Sequence, residues 1–265
     1  MTGTQGTLVA ELDRLAEEAP LDDHLVDELF AVVDALVDNV SLRRALADSG
    51  RDAEQRSGLA RAVLGGKVSE PVMTVVEKVV ALDWEGQDGL VAGLEQIGLR
   101  QVLRRVEATG ESDEVREELS GFARTVVANT DLRARLNDTA TASRQARFAL
   151  VDDLLASKAR PATVLLAKRA SVEAGRTYER NVADQLELAA RVRGHVVARV
   201  EVAKPLSDDQ RTRLQRELSR IYGVEVDLTI EVDPHVVGGV RVTVGDEVID
   251  GSIAARLAEA SRGLH

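Results

Sequence analysis

The residues best placed to do chemistry lie near the C-terminus, where a glycine pair precedes an alternating segment. Gly238 and Gly239 could belong to a phosphate-binding loop, because glycine lets backbone amides approach phosphate oxygens closely. Such a loop needs a following Lys and the start of a helix, whereas Val240 to Val244 alternates like a strand. The pattern therefore predicts a tight turn or a bulge between two strands.

Three carboxylates and a histidine in the same segment form a second candidate site. Asp233, His235, Asp246 and Asp250 would have to converge on one pocket to perform acid–base or metal chemistry. Each Asp instead stands beside Pro or Gly, where its side chain commonly bonds to nearby backbone amides in a turn. We therefore predict that these carboxylates shape turns and perform no chemistry.

The rest of the chain has few groups typical of catalysis or metal binding. It contains no cysteine, its four histidines lack the paired helical spacing of a zinc site, and no Gly-x-Ser-x-Gly elbow is present. One Trp and two Tyr, all isolated, provide no stacking platform for single-stranded nucleic acid. The sequence thus predicts no catalytic residue, no cofactor, no metal and no nucleic-acid partner.

Length and composition set the class of protein. The 265 residues allow one large domain or two to three small ones, and the 2% of aromatic residues predicts a core of Leu, Val, Ala and Ile. No apolar run reaches the length of a membrane span, and Met1–Gln5 lacks the pattern of a signal peptide. These features favour a helical protein without a membrane-spanning segment.

The negative charge of the chain is concentrated at its start. Residues 1–40 hold ten acidic residues and one basic residue, Arg14, and so carry −9 of the formal net charge of −11. An acidic surface repels nucleic-acid phosphates and anionic lipid, which disfavours both as direct partners of this region. Two interpretations remain open, a docking patch for a basic partner segment and a solvated helix face.

Residues 1–194 have a helical pattern throughout. Apolar residues from Leu25 to Val40 recur at the spacing of one buried helix face, and Ser41 and Asp131 stand at predicted N-cap positions. The chain also matches itself at a gapless offset of 90 residues, which predicts two helical bundles, 1–111 and 112–194. The matching pairs include Glu28 with Glu118, Asn39 with Asn129, Leu46 with Leu136, Pro71 with Pro161, and Lys78 with Lys168.

The pattern changes at His195, where alternating strands begin. A capping box at Ser207–Gln210 opens an amphipathic helix, for which we predict Leu214, Leu218 and Ile221 to face inward. Two further strands and a short helix complete a small domain over residues 195–265. The predicted fold class is α+β and mostly α, with two tandem helical bundles followed by a small C-terminal α+β domain.

The order of short motifs in this last domain resembles the F-type ATP synthase delta subunit family, also called the oligomycin-sensitivity-conferring protein family. That family has an apolar strand ending in Pro-Leu-Ser or Pro-Leu-Thr, then Asp-Pro, Gly-Gly, Gly-Asp and Asp-Gly-Ser in this order. The corresponding residues, which we predict to be structural, are Pro205, Asp233, Pro234, Gly238, Gly239, Gly245, Asp246, Asp250, Gly251 and Ser252.

The resemblance extends to the helical part of the chain. The second helical copy is similar to the family's single N-terminal domain, and the first copy resembles the added domain of a long, actinobacterial-type form. The Arg-Tyr-Ala opening of the family's usual first helix is missing from both copies.

The resemblance implies a non-catalytic stator that links the catalytic head to the peripheral stalk and resists rotor torque. Its implied partners are the N-terminal helices of the alpha subunits and the C-terminal end of the b subunit. It also implies a peripheral position at the cytoplasmic face of the cell membrane, with membrane association only through the complex. Two alternatives are a free-standing helical adaptor and a soluble helical enzyme or nucleotide-binding protein.

Overall fold

The fold is α+β and mostly α, as the sequence predicts. A computed structural model describes residues 3–84, 86–172, 176–194, 196–222, 226–233, 239–244 and 247–250, which form twelve helices and one four-stranded sheet. Contacts divide the chain into two compact units, Met1–Ser112 and Asp113–His265, called here the first unit and the second unit. None of the helices in these described ranges is long and apolar enough to cross a membrane.

The first unit packs its helices around one apolar core. Leu29, Val33 and Leu36 on the second helix meet Val76 and Leu94 there, and all five side chains are fully buried. This burial follows the helical spacing of the sequence, because residues three and four apart share one helix face. The helices are α1 (Gly3–Glu18), α2 (Asp23–Asp38), α3 (Val40–Leu46), α4 (Ala53–Leu64), α5 (Glu70–Ala81) and α6 (Gln87–Ala108).

The second unit begins with five helices, α7 to α11, which correspond one by one to α2 to α6 of the first unit. Val115, Leu119, Phe122 and Val126 form the buried face of its first helix, at the spacing seen in α2. The described helices are α7 (Ser112–Ala128), α8 (Thr130–Asn137), α9 (Arg144–Leu155), α10 (Pro161–Arg169) and α11 (Tyr178–Val192).

The N-caps of α3 and α8 differ from the prediction. Asn39 and Asn129 are the capping residues, and their side-chain oxygens accept hydrogen bonds from the backbone N–H groups of Leu42 and Leu132 at 3.0 Å each. Ser41 and Asp131 lie inside the first turn of these helices. Because α2 ends before Asn39, the predicted apolar stripe ends too, and Val40 is 42% exposed.

The second unit continues into a mixed sheet with the strand order β2-β1-β3-β4. The central strand β1 pairs in parallel with β2 and antiparallel with β3, which in turn pairs antiparallel with β4. A helix between β1 and β2 makes the crossover that a parallel pair requires. These elements are β1 (Val196–Val202), α12 (Asp208–Tyr222), β2 (Val226–Val232), β3 (Val240–Val244) and β4 (Glu247–Asp250).

One face of this sheet is apolar and packs against α12. Leu218 is buried among the strand residues and Leu214 packs against the same cluster, as predicted, but Ile221 is 61% exposed. Tyr222 takes the expected place of Ile221 because the inward side chains on α12 recur every fourth residue. The buried strand residues are Ala198, Val200, Val202, Val226, Leu228, Val242 and Val244.

Candidate functional site

Three of the motif residues lie in parts of the C-terminal domain that the structure describes fully. Pro205 is exposed in the loop between β1 and α12. The backbone N–H of Asp233 donates to the carbonyl of Val202 at 2.9 Å, which continues the pairing of β2 with β1. Gly239 has a φ of 78°, a left-handed conformation that favours glycine. All three positions lie in or beside the connections between elements of the sheet.

Of the remaining motif residues, Asp250 lies within the described ranges and the others lie outside them. Asp250 is the last residue of β4 and lies opposite Arg241 in the register of β3. His235 from the carboxylate candidate lies outside the described residues. Among the residues that are described, no group of His, Asp or Glu could hold a metal ion. The motif residues outside the described ranges are Pro234, Gly238, Gly245, Asp246, Gly251 and Ser252.

A carboxylate contact between two helices is found in both helical bundles, exposed in the first and partly buried in the second. In the first unit, Oε2 of Glu28 on α2 accepts hydrogen bonds from the backbone N–H and the hydroxyl of Ser69, at 2.8 and 2.6 Å. In the second unit, Oε2 of Glu118 on α7 accepts from the backbone N–H of Arg160 and the hydroxyl of Thr163, at 3.0 and 2.6 Å. Each carboxylate thus holds the N-terminus of a later helix, where a negative charge also interacts favourably with the helix dipole.

These contacts change the acidity of the two carboxyl groups. Burial alone would raise the pKa of Glu118, but the hydrogen bonds from Thr163 and from the backbone and guanidinium of Arg160 hold that pKa below its ordinary value of 4.5. The hydroxyl and backbone N–H of Ser69 likewise lower the pKa of Glu28. A group with a lowered pKa stabilises the fold above its unfolded pKa and loses this contribution as the pH falls through the folded value.

We expect Glu118→Gln to be less stable than the wild type by about 1–2 kcal/mol at pH 6 or so, because charged acceptors bond more strongly than neutral ones. The difference should narrow as the pH falls below about 4.5, because Glu118 of the unfolded wild type binds a proton there, and it should vanish once the pH has fallen through the lower pKa of the folded protein. Urea unfolding followed by circular dichroism at several pH values measures both effects. The neighbouring Glu117 is exposed, so Glu117→Gln is the control. If the free energy of unfolding of the wild type, Glu118→Gln and Glu117→Gln depended equally on pH, the prediction would be contradicted.

A buried arginine forms the second repeated contact. Arg56 on α4 donates to the carbonyls of Leu82 and Ala81 at the end of α5, at 3.1 Å each, and is 2% exposed. Arg147 on α9 donates to the carbonyl of Ser171 beyond α10 at 3.0 Å and is 5% exposed. Both guanidinium groups therefore bond carbonyls at a helix C-terminus, which have no partner within the helix itself.

A third repeated contact joins α2 to α6 in the first unit and α7 to the end of α11 in the second. Arg105 near the end of α6 forms an ion pair with Asp23 in the first turn of α2. Arg193, just after α11, forms an ion pair with Asp113 in the first turn of α7 at 2.9 Å. The match of the sequence with itself pairs Glu28 with Glu118 but does not indicate what these residues contact. The two buried arginines are not among its pairs.

Part of the acidic start of the chain is paired with basic groups of the first unit. Asp13 forms an ion pair with Arg100, and Glu18 forms another with Lys78 at 2.9 Å. Arg14, the one base of this region, binds Glu11 and Glu18. These contacts favour the interpretation of a solvated helix face with part of its charge paired within the fold.

The polar face of the sheet carries ion pairs as well. Arg241 on β3 and Glu201 on β1 are directly opposite in register, and Nη1 of Arg241 lies 3.1 Å from Oε2 of Glu201. Arg199, two residues before Glu201, lies 3.5 Å from Glu187 on α11 and 3.8 Å from Glu231 on β2. All of these side chains remain partly exposed, so we attribute little stability to each pair.

Comparison with known proteins identifies similar chains over nearly the whole length. A family model described as "ATP synthase delta (OSCP) subunit" matches residues 102–264. The ATP synthase subunit delta of Beutenbergia cavernae is 38% identical over 266 residues, 98% of each chain. That of Streptomyces coelicolor is 40% identical over 255 residues, 96% of this chain and 93% of the other. A chain in the Toxoplasma gondii mitochondrial ATP synthase hexamer matches 64% of this chain and 97% of its own length, with 19% identity and a TM-score of 0.41.

Proposed function

The chain belongs to the ATP synthase delta (OSCP) family, and we propose that it links the catalytic head of an F-type ATP synthase to the b subunit of the peripheral stalk. A subunit in this position holds the head still against rotor torque. The observation that carries the proposal is the family match over residues 102–264, together with relatives that align over nearly the full chain. In this role the chain itself is non-catalytic and binds no cofactor.

In the proposed division of roles, the helical part binds the N-terminal helices of the alpha subunits. A bundle of amphipathic helices can accept a further amphipathic helix in a groove, through apolar anchors spaced three and four residues apart. The C-terminal domain binds the end of the b subunit. Several modest contacts acting together give a long-lived joint, because each bound site raises the effective concentration at the next.

The proposed domains are residues 1–111, 112–194 and 195–265. Support comes from the contact boundary after Ser112 and from the separate apolar cluster of the sheet and α12. The family-motif residues fix the connections between the C-terminal strands. The chain is bound at the cytoplasmic face of the cell membrane only through the complex. The left-handed conformation of Gly239 is consistent with this structural role.

An affinity pull-down tests the proposed function. The tagged full-length chain is recovered from detergent-solubilised membranes of its source cells, and its partners are identified by mass spectrometry. Recovery of alpha and b together is the expected result. Recovery of neither, from a preparation in which intact ATP synthase is shown to survive, would overturn the proposal.

A truncated chain tests the division of roles. The chain without residues 195–265 is expected to lose binding to b and to retain binding to alpha. Both interactions are measured with purified partners, and the full-length chain is the positive control. Circular dichroism must first show that the truncated chain remains helical, and retained b binding by such a chain would contradict the assignment.

A further inference from the structure

Apart from Oε1 of Glu179, which forms an ion pair with Arg133, three buried polar atoms on α11 have no hydrogen-bond partner among the residues that the structure describes. They are Oη of Tyr178, Oδ1 of Asn181 and Oε1 of Gln185. The three side chains are 1%, 7% and 4% exposed, so bulk water does not reach them. Buried polar groups in native proteins almost always have a partner, and an ordered internal water is a common one.

The three residues share one side of α11. Their spacing of three and four residues places them on the same helix face, at intervals of about 4.5 and 6 Å along the axis. The ring of Tyr178 contacts that of Phe122 edge to face, with 6.1 Å between the centroids. Nδ2 of Asn181 donates to the carbonyl of Ala170 at 2.9 Å, so only the oxygen of this amide has no partner.

The first unit is apolar at the equivalent positions. Each buried residue of α11 corresponds to a buried residue of α6 that lies 88 positions earlier in the chain, so that Val182 corresponds to Leu94. At this offset Tyr178, Asn181 and Gln185 correspond to Leu90, Gly93 and Ile97, which have no polar side-chain atoms. The buried polar row therefore belongs to the second copy alone in this comparison.

We propose that ordered water molecules occupy the interior of the second unit along this face of α11. Water accepts a hydrogen bond from the hydroxyl of Tyr178 and donates to the amide oxygens of Asn181 and Gln185. The three atoms are polar and buried, and a water that bonds two or more of them has the number of partners that an internal water requires.

A crystal structure or cryo-electron microscopy map that resolves ordered water tests the proposal directly. We expect density within hydrogen-bonding distance of Tyr178 Oη, Asn181 Oδ1 and Gln185 Oε1. Well-ordered side chains at all three positions without such density would overturn it.

Two substitutions test the same site in the full-length chain. Tyr178→Phe removes only the hydroxyl, and Gln185→Met replaces the amide with an apolar group of similar size. If water bonds these groups, the hydrogen-exchange protection of α11 should fall about three- to tenfold in each variant. If the groups have no partner, their removal relieves an unfavourable burial, and unchanged or higher protection in both variants would contradict the proposal. Gln145 on α9 is exposed, so Gln145→Met controls for the chemical change alone.

Discussion

Gly98→Ala is expected to lower the free energy of unfolding of the first unit by about 2–3 kcal/mol. A Cβ atom at Gly98 would lie 2.6 Å from Cε1 of Phe30, closer than real carbon atoms approach. Phe30 is 5% exposed, so its ring has little room to move away. The helix propensity gained by replacing Gly is at most about 1 kcal/mol and offsets only part of this cost.

The same substitution at Gly58 provides a matched control with the opposite sign. Gly58 lies inside α4, is exposed, and has no atom within 4 Å of the added Cβ. Gly58→Ala should therefore stabilise the first unit by about 1 kcal/mol. Trp84, the only Trp of the chain, is buried in the same unit, so its fluorescence during urea unfolding reports both variants. Equal midpoints for the two variants would contradict the prediction.

Arg147→Met is expected to destabilise the second unit by about 3 kcal/mol, because it leaves several backbone acceptors without a donor. Besides its bond to Ser171, the guanidinium donates to the carbonyls of Asp138 and Ala142, at 3.0 and 2.5 Å. Methionine preserves most of the buried stem and removes all three donors, so the loss reports the polar contacts. The cost includes the desolvation of the carbonyls that remain buried.

Urea unfolding followed by circular dichroism measures this effect, with Arg135→Met as the control. Arg135 is exposed on α8, and its replacement should change the stability by less than about 0.5 kcal/mol. Arg147→Lys should recover only part of the loss, because an ammonium group does not reproduce the planar fork of a guanidinium. Full stability of Arg147→Met would show that the carbonyls are satisfied without the arginine.

Apolar periodicity predicted the buried faces of the helices well, because burial is set by spacing along a single element. The face of α2 from Leu25 to Leu36 is buried as expected. Helix boundaries were harder to predict, because Asn39 and Ser41 are both good capping residues and only the backbone geometry decides between them. Ile221 was placed wrongly for a similar reason, since Ile221 and Tyr222 both fit an apolar stripe on α12.

A single offset along the whole chain does not align the two buried arginines. Burial pairs Leu64 with Leu155 in α4 and α9, an offset of 91 residues, whereas the gapless offset of 90 pairs Leu64 with Leu154. The same one-residue shift brings Arg56 opposite Arg147. No sequence pattern marks these arginines as buried, because charged side chains on helices are usually exposed. Their carbonyl partners are known only once the chain has folded.

The carboxylates of Glu28 and Glu118 both accept a hydrogen bond from a main-chain amide. Every residue except proline carries that amide, so the contact places little demand on the side chain of the neighbour. Ser69 in one copy and Arg160 in the other fulfil the same requirement. Two helical bundles that meet this requirement through the main chain can therefore differ in most of their side chains while each keeps its fold.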